Sequence, residues 1–471
     1  MSLVPVREVE LIQTRMKELD ALLERHFPEL IHAWKAALAI VACGVIGNPY
    51  RCAALIFTGQ ASSGKSTVVE SFFPPDVNCD YGSYMYRSDK FSVASFISHS
   101  TAAKSEEELK KIDLLPKLVN KTLLTSELAE MFKGNKNDLL PRFNILTRVL
   151  DGQGLTTDTG AWGSRGETGE AIFQWLGCTT PLETPVVAAM ASLGPRLVFY
   201  YVDRQEPTAQ DLVDGFKSEE AEGSESTPYD RVCLKVRELV CAIYQTYGRR
   251  SGHKETGVDR HSISVTNNEE ITLKLMKWAD IAAKLRMTIF EAKADPDNLT
   301  DEDPAERLSG KRKEFSNRIA QVFRQFSIGS AIAHGRTYLT DYEIKQIAHI
   351  ALSTGMPGRT AVFEQAMRHG GQINVAGCRD YIDHKKNGIE LRYMRELELA
   401  GLGEVVRGEG NSGSIFYVAD EFMDLIPLMH PAIVSPKKKR KVQRAIHRPD
   451  GKKAVRGGDK PAPADSNDGT A

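Results

Sequence analysis

The chain has 471 residues, 41% of them hydrophobic and 26% charged, with 61 Lys+Arg against 62 Asp+Glu. That length suits two or three domains with real cores, and a formal charge of −1 argues against a strongly basic nucleic-acid binder or an acidic tail protein. The average hides a split. Residues 436–471 hold 11 Lys/Arg and 4 Asp/Glu, so a body of net charge −8 carries a tail of net charge +7.

Seven cysteines, at 43, 52, 79, 178, 233, 241 and 378, form no C-x-x-C pair, which argues against a disulfide framework or a zinc ribbon and suits a reducing, cytoplasmic setting. The most apolar stretch, Ala36–Ile46, runs into Gly47, Asn48 and Pro49 and is too short to cross a membrane. The acidic, helical N-terminus has no signal-peptide pattern, and no solenoid-type repeat is present.

In chain order, Leu11, Met16, Leu19, Leu22 and Leu23 stand at helical spacing and predict helix over 7–46. Cys52–Phe57 predicts a buried strand, with a helix starting near Lys65. Lys121–Thr125, Trp175–Cys178 and Arg196–Val202 predict further strands, with a helix around Val186–Ser192 between the last two. Strands alternating with helices point to an α/β domain with a mainly parallel sheet. Residues 204–228 and 294–304 read as acidic connectors, 229–248 and 268–291 as helices, and 312–334 with 340–353 as a helix pair. Helices at 358–369, 375–384 and 389–400 then precede a hairpin, 403–407 with 414–418. Beyond Pro436 the composition cannot build a core, and disorder is expected.

Gly59-Gln60-Ala61-Ser62-Ser63-Gly64-Lys65-Ser66 matches G-x-x-x-x-G-K-[ST] between a strand and a helix. The glycines let the backbone curl, successive N–H groups nest an anion, and the helix start adds its dipole. Together with Thr67 this predicts an ATP site in which Lys65 would meet the β/γ-phosphates and the Ser66 hydroxyl would ligate Mg²⁺.

An acid is needed at the tip of a second strand, and Glu127 follows Lys121–Ser126. It is the candidate to hold the metal shell and orient the attacking water, either alone or with Asp89 or Asp80. A surface glutamate capping the next helix is the alternative. Thr179, or Thr180, ends the next strand with a hydroxyl suited to the water and γ-phosphate, and Arg196 is a candidate phosphoryl clamp offered to a neighbouring subunit. The segment Asp151–Glu170, with six glycines, predicts a loop or hairpin that presents Trp162 and Arg165 to a nucleic acid.

With these features in this order, residues 30–205 resemble an AAA+ ATPase core, and the glycine-rich insert resembles the pre-sensor hairpin of the minichromosome-maintenance-type and superfamily III helicase branches. Asn317–Gln321 and Ala333–Thr340 are similar to the helical lid of such helicases, which implies a sensor role for Arg318. Residues 357–426 resemble a winged helix. Its recognition helix would be 389–400, with Arg392 and Arg395 outward, and its wing 403–418, with Arg407 at the tip. DNA contact is one use of that shape and protein contact the other.

The resemblance implies an N-terminal helix (1–30), an AAA+ P-loop core (31–205), a helical region with insertions (206–310), a helical lid (311–356), a winged helix (357–430) and a disordered basic tail (431–471). It implies an ATP- and Mg²⁺-dependent hydrolase that forms a homo-oligomer, a hexameric ring in those branches, and acts on DNA as a helicase or translocase. The alternative is a nucleotide-gated DNA-binding regulator or scaffold, in transcription, mobile-element control or phage defence, that does not unwind. The run Pro436–Val442 is read as electrostatic help for DNA binding, with nuclear import as the other possibility.

Overall fold

The computed structural model describes residues 6–429, except 47–48, 50, 76–79, 99–104, 160–162, 184–185, 188–189, 191–195, 205–212, 214–225, 249–268, 292–307, 313–315, 383–387 and 408–412. Met1–Pro436 forms one unit, and Lys437–Ala471 is set apart as a second. The basic tail lies outside the described residues, as do most of both acidic connectors.

The centre is a five-stranded parallel sheet made of β1 (Ala53–Thr58), β2 (Met85–Arg87), β3 (Thr122–Thr125), β6 (Gln174–Cys178) and β7 (Val198–Tyr201), in the order β2-β3-β6-β1-β7. A hairpin of β4 (Gly154–Thr159) and β5 (Gly163–Thr168) is inserted before β6. β1 reads Ala-Ala-Leu-Ile-Phe-Thr and is buried throughout, as a strand covered on both faces must be. Its side chains alternate between two cores. Leu55 and Phe57 join the one that contains the helices α1 (Val6–His26) and α2 (Ile31–Ala42), while Ala54 and Ile56 join the one around α4 (Lys136–Leu150). The helix α3 (Lys65–Glu70) follows β1 directly after the glycine-rich turn.

The predicted helix over 7–46 is two helices. Pro28 disfavours helical geometry at Phe27, and the chain turns at 27–30 before α2. Further along are α5 (Pro228–Tyr247), α6 (Glu269–Arg286), α7 (Asn317–Ala333) and α8 (Asp341–Thr354). Residues 288–291 are strand β8 rather than the end of a helix, paired antiparallel with β9 (Leu308–Arg312). Of the helix expected around Val186–Ser192, only Val186, Val187 and Met190 are described, and they are helical.

The free edge of β7 is covered by α8 rather than by a further strand. The Phe199 and Tyr201 N–H groups donate to Thr354 Oγ1 and Ser353 Oγ, both at 3.0 Å, and His349 Nε2 meets the Tyr201 carbonyl at 2.8 Å. Helix side chains thus satisfy an edge that would otherwise be a pairing template.

Residues 357–428 supply α9 (Pro357–Arg368), β10 (Gln372–Asn374), a helical turn at Val375–Cys378, α10 (Ile389–Ala400), β11 (Gly403–Arg407) and β12 (Ser414–Val418). The strands form an antiparallel sheet in the order β10-β12-β11. The helix expected over 375–384 is therefore one turn. Among the described residues no helix is long and apolar enough to cross a membrane.

Candidate functional site

In a parallel α/β sheet, ligands gather where the strands end at their carboxyl edge and the strand order switches direction. Here that edge is tied across by backbone hydrogen bonds from one strand end to the next. Ser88 N–H donates to Leu124 O (3.0 Å), Leu128 N–H to Cys178 O (2.9 Å), Thr179 N–H to Phe57 O (2.8 Å) and Val202 N–H to Thr58 O (2.7 Å). The residues just past the strands consequently stand in a row at the sheet's strand spacing of about 4.8 Å. They are Asp89, Glu127, Thr179, the loop from Gly59, and Arg204.

The loop has the backbone an anion nest requires. Gly59, Ser62 and Gly64 take φ of 153°, 62° and 88°, and Ser62 is one of only two non-glycine residues at positive φ among the described residues. A Cβ on Gly59 would lie 2.5 Å from the fixed Val202 carbonyl oxygen, and Gly64, whose neighbour is the Leu30 side chain, takes a left-handed φ that strains any other residue. Lys65 is buried, with its ammonium held inside the loop by Gly59 O (2.8 Å), Gln60 O (2.5 Å) and Ser63 Oγ (3.3 Å). Burial pulls its pKa down, opposed by the nearby Cys178 and Glu127. Ser66 is exposed and Thr67 half-buried, and the Thr67 carbonyl accepts from Tyr229 Oη (3.1 Å), which pins the helix after the loop to the start of α5.

Glu127 is exposed just past β3, and its Oε1 accepts the Ala129 N–H at 2.7 Å. It therefore caps the following turn while its charge acts on Lys65. Ser126 precedes it, and its Oγ donates to Oδ1 of Asp89, which stands just past the neighbouring strand β2, at 3.2 Å. Asp89 is also held by Arg87 through Nε at 3.1 and 3.0 Å. Asp80, the other possible helper, opens a short helix before β2. Thr179 is buried, and its Oγ1 has no hydrogen-bond partner among the described residues, whereas Thr180 is exposed. The oxygens of Ser66, Glu127 and Asp89 are the hard donors that Mg²⁺ prefers, so the residues at this edge fit the metal in kind.

Several expected residues stand elsewhere. Arg196 precedes β7, so in a parallel sheet it lies at the amino edge, a strand's length from the phosphate loop. Its half-buried guanidinium meets Asp151, with Nη2–Oδ2 at 3.1 Å, and Asp151 also pairs with Arg51 just before β1. Arg318 is displaced for a similar reason. The backbone of Arg51 exchanges hydrogen bonds with the side chain of Gln325, while Gly329 lies against Ala39 on α2, so α7 runs antiparallel to α2. Arg318, about 10 Å further toward the start of α7, continues away from Gly64.

Trp162 lies outside the described residues. Arg165 does not sit at a hairpin tip: its Nη2 meets Asp113 Oδ2 at 2.9 Å with the two side chains 3% and 4% exposed, and its Nη1 donates to the Ser98 carbonyl. The exposed charges among the described hairpin residues are Asp158 and Glu167, which repel phosphate. In the C-terminal part none of the twelve residues of α10 is exposed, because α9, β11, α6 and β9 pack around it. Arg392 is paired with Glu396 (3.0 Å) and Arg395 with Glu398 (2.7 Å), so the expected outward-reading face is committed to intrahelical pairs. Arg407, at the end of β11, is exposed. The nearby lysines 385 and 386 lie outside the described residues.

Sequence reasoning passed over Arg204, which stands at the correct edge of the sheet. Its only signal was position, just past a strand predicted to neighbour the P-loop strand.

No protein family matches the chain, and no curated protein matches it. Among solved structures it is similar to a "putative ATPase" from Cytophaga hutchinsonii at 10% identity and a TM-score of 0.36, over 74% of this chain and 89% of that one.

Proposed function

We propose that this chain binds ATP on the loop Gly59–Thr67 and hydrolyses it in an AAA+ type site. The observation that carries the reading is the loop itself: a nest of three positive-φ residues at the carboxyl edge of a parallel sheet, with a buried lysine inside it and an acid facing that lysine from the next strand end but one. Incoming phosphates offer the Lys65 ammonium charged oxygens in place of the Gly59 and Gln60 carbonyls, a stronger partner for the same donor. Glu127 orients the attacking water and accepts its proton, and Thr179 or Thr180 positions that water from the intervening strand end. Mg²⁺ would be held by Ser66 and Glu127 with Asp89 alongside, and supplies charge neutralisation on the phosphates.

Turnover by Lys65→Ala and Glu127→Gln tests this. Lys65→Ala is expected to lose nucleotide binding. Glu127→Gln is expected to keep binding and lose turnover by about 100-fold or more. Unimpaired hydrolysis in both refutes the reading.

Action on DNA, a winged-helix use of residues 357–430 and a hexameric ring of identical subunits belong to the same proposal. Support for DNA contact comes from exposed Arg407 beside the turn of the β11–β12 hairpin and from the +7 tail. The packed α10 and the acidic β4–β5 hairpin favour the second reading, a nucleotide-gated regulator that does not unwind. DNA-stimulated hydrolysis with strand displacement supports the helicase, and stimulation without displacement supports the regulator.

A further inference from the structure

The better placed arginine of the site lies at the opposite end of the strand that Arg196 precedes. Just past β7, the Val202 carbonyl oxygen abuts Gly59, and Arg204 follows two residues later. On the other flank the Leu30 side chain covers Gly64, and Glu29 precedes Leu30. Arg204 Nε and Glu29 Oε2 are 2.7 Å apart, although 175 residues separate them in sequence. The contacts therefore close a circuit around the phosphate loop, from Gly59 through Val202, Arg204, Glu29 and Leu30 to Gly64.

The two side chains of the pair are 37% and 48% exposed. An exposed ion pair contributes little to stability, because water screens it and ordering two long side chains costs entropy. Stability therefore does not account for this pair. Its positional effect is to hold a guanidinium at the rim of a loop built for anions.

We propose that Arg204 contacts the phosphates of the bound nucleotide, and that Glu29 holds it at the rim by occupying the same guanidinium. The planar fork of arginine accepts a carboxylate and a phosphate in the same way, so nucleotide entry exchanges one oxyanion for another and leaves no charge buried and unpaired. The inference rests on the ATP reading of the loop and adds a phosphate ligand to it.

The two partners then have opposite effects, which a structural ion pair cannot produce. Binding of a fluorescent ATP analogue to the full chain is measured for wild type, Arg204→Ala, Arg204→Lys and Glu29→Gln, with Lys65→Ala as the control and melting temperatures as the check on folding. Arg204→Ala is expected to weaken binding about tenfold, with Arg204→Lys in between. Glu29→Gln is expected to tighten it about two- to fivefold by removing the competing carboxylate. Effects of the same sign, or none in either variant, overturn the role of Arg204 while Lys65→Ala still abolishes binding. A wild-type chain that does not bind the analogue, or binding that survives Lys65→Ala, refutes the ATP reading and this inference with it.

Discussion

Replacing Arg165 by methionine separates a structural arginine from a DNA-facing one. The side chain is 3% exposed against an Asp113 that is 4% exposed, so the change leaves a carboxylate buried without its counter-ion. Breaking such a pair costs about 3–5 kcal/mol. Asp113 keeps one partner, since its Oδ1 still accepts the Ser98 N–H at 2.7 Å, which recovers about 1 kcal/mol. A net loss of about 3 kcal/mol follows, which for the single unit Met1–Pro436 lowers the melting temperature by about 3 °C.

Thermal melting, with limited proteolysis across 154–168, reads this directly. The hairpin is expected to become cleavable at temperatures where the wild type resists, because Arg165 is what joins β5 to Asp113 and Ser98. The double variant Arg165→Met with Asp113→Leu removes both charges and is expected to recover most of the loss. About 1–2 kcal/mol remains, since the Ser98 N–H loses its acceptor. An Arg165→Met chain that melts like the wild type yet binds DNA more weakly refutes this reasoning and returns Arg165 to the surface.

Arg196→Ala removes one of two arginines on Asp151 and is expected to lower the melting temperature by a few degrees while turnover per folded molecule stays within about twofold; lost turnover at an unchanged melting temperature would place Arg196 in the active site. His349 is buried, and its pKa is pushed down to about 4 from the ordinary histidine range. The unfolded chain therefore takes up a proton between about pH 6.5 and 4 that the folded chain does not, so this contribution is complete above pH 6.5 and is lost as pH falls, by about 3 kcal/mol in all. His349→Gln, whose amide N–H replaces the donor to Tyr201 O, is expected to show a smaller drop in melting temperature from pH 7 to pH 5 than the wild type, and an equal drop refutes the assignment. His32 and His334 are also pushed down by burial and keep part of the acid sensitivity in both proteins.

The phosphate loop was legible because its chemistry is local. Two glycines at fixed spacing, a lysine and a hydroxyl act within eight consecutive residues, and the buried strand before them and the helix after them are equally short-range. The hairpin of 151–170 was legible for the same reason, since its glycines shape the backbone where they stand: a Cβ on Gly154 or Gly166 would strike the partner strand's backbone at 2.2 or 2.0 Å. The central strands β1, β3, β6 and β7 followed from short apolar runs that do not depend on their neighbours, whereas the three-residue β2 is too short to show one.

What those runs cannot encode is which strands become neighbours and which ends face the ligand, and the misplacing of Arg196 is of that kind, whereas the break of the 7–46 helix at Pro28 is itself a local effect. Arg196 and Arg204 flank the same strand, and only the parallel pairing of β7 with β1 decides that the second stands at the phosphate loop and the first does not. Asp89 takes its place beside Ser126 because β2 lies against β3, a pairing of segments 37 residues apart. Arg165 and the arginines of α10 looked free because a charge in a polar stretch is normally solvated, while the acid that holds Arg165 stands 52 residues away and α10 is packed by distant α6 and β9 as well as by its neighbours α9 and β11. Local sequence thus determined that an anion nest with a lysine would form. The order of strands and the burial of charges, set by contacts across tens to hundreds of residues, decided which other groups surround it.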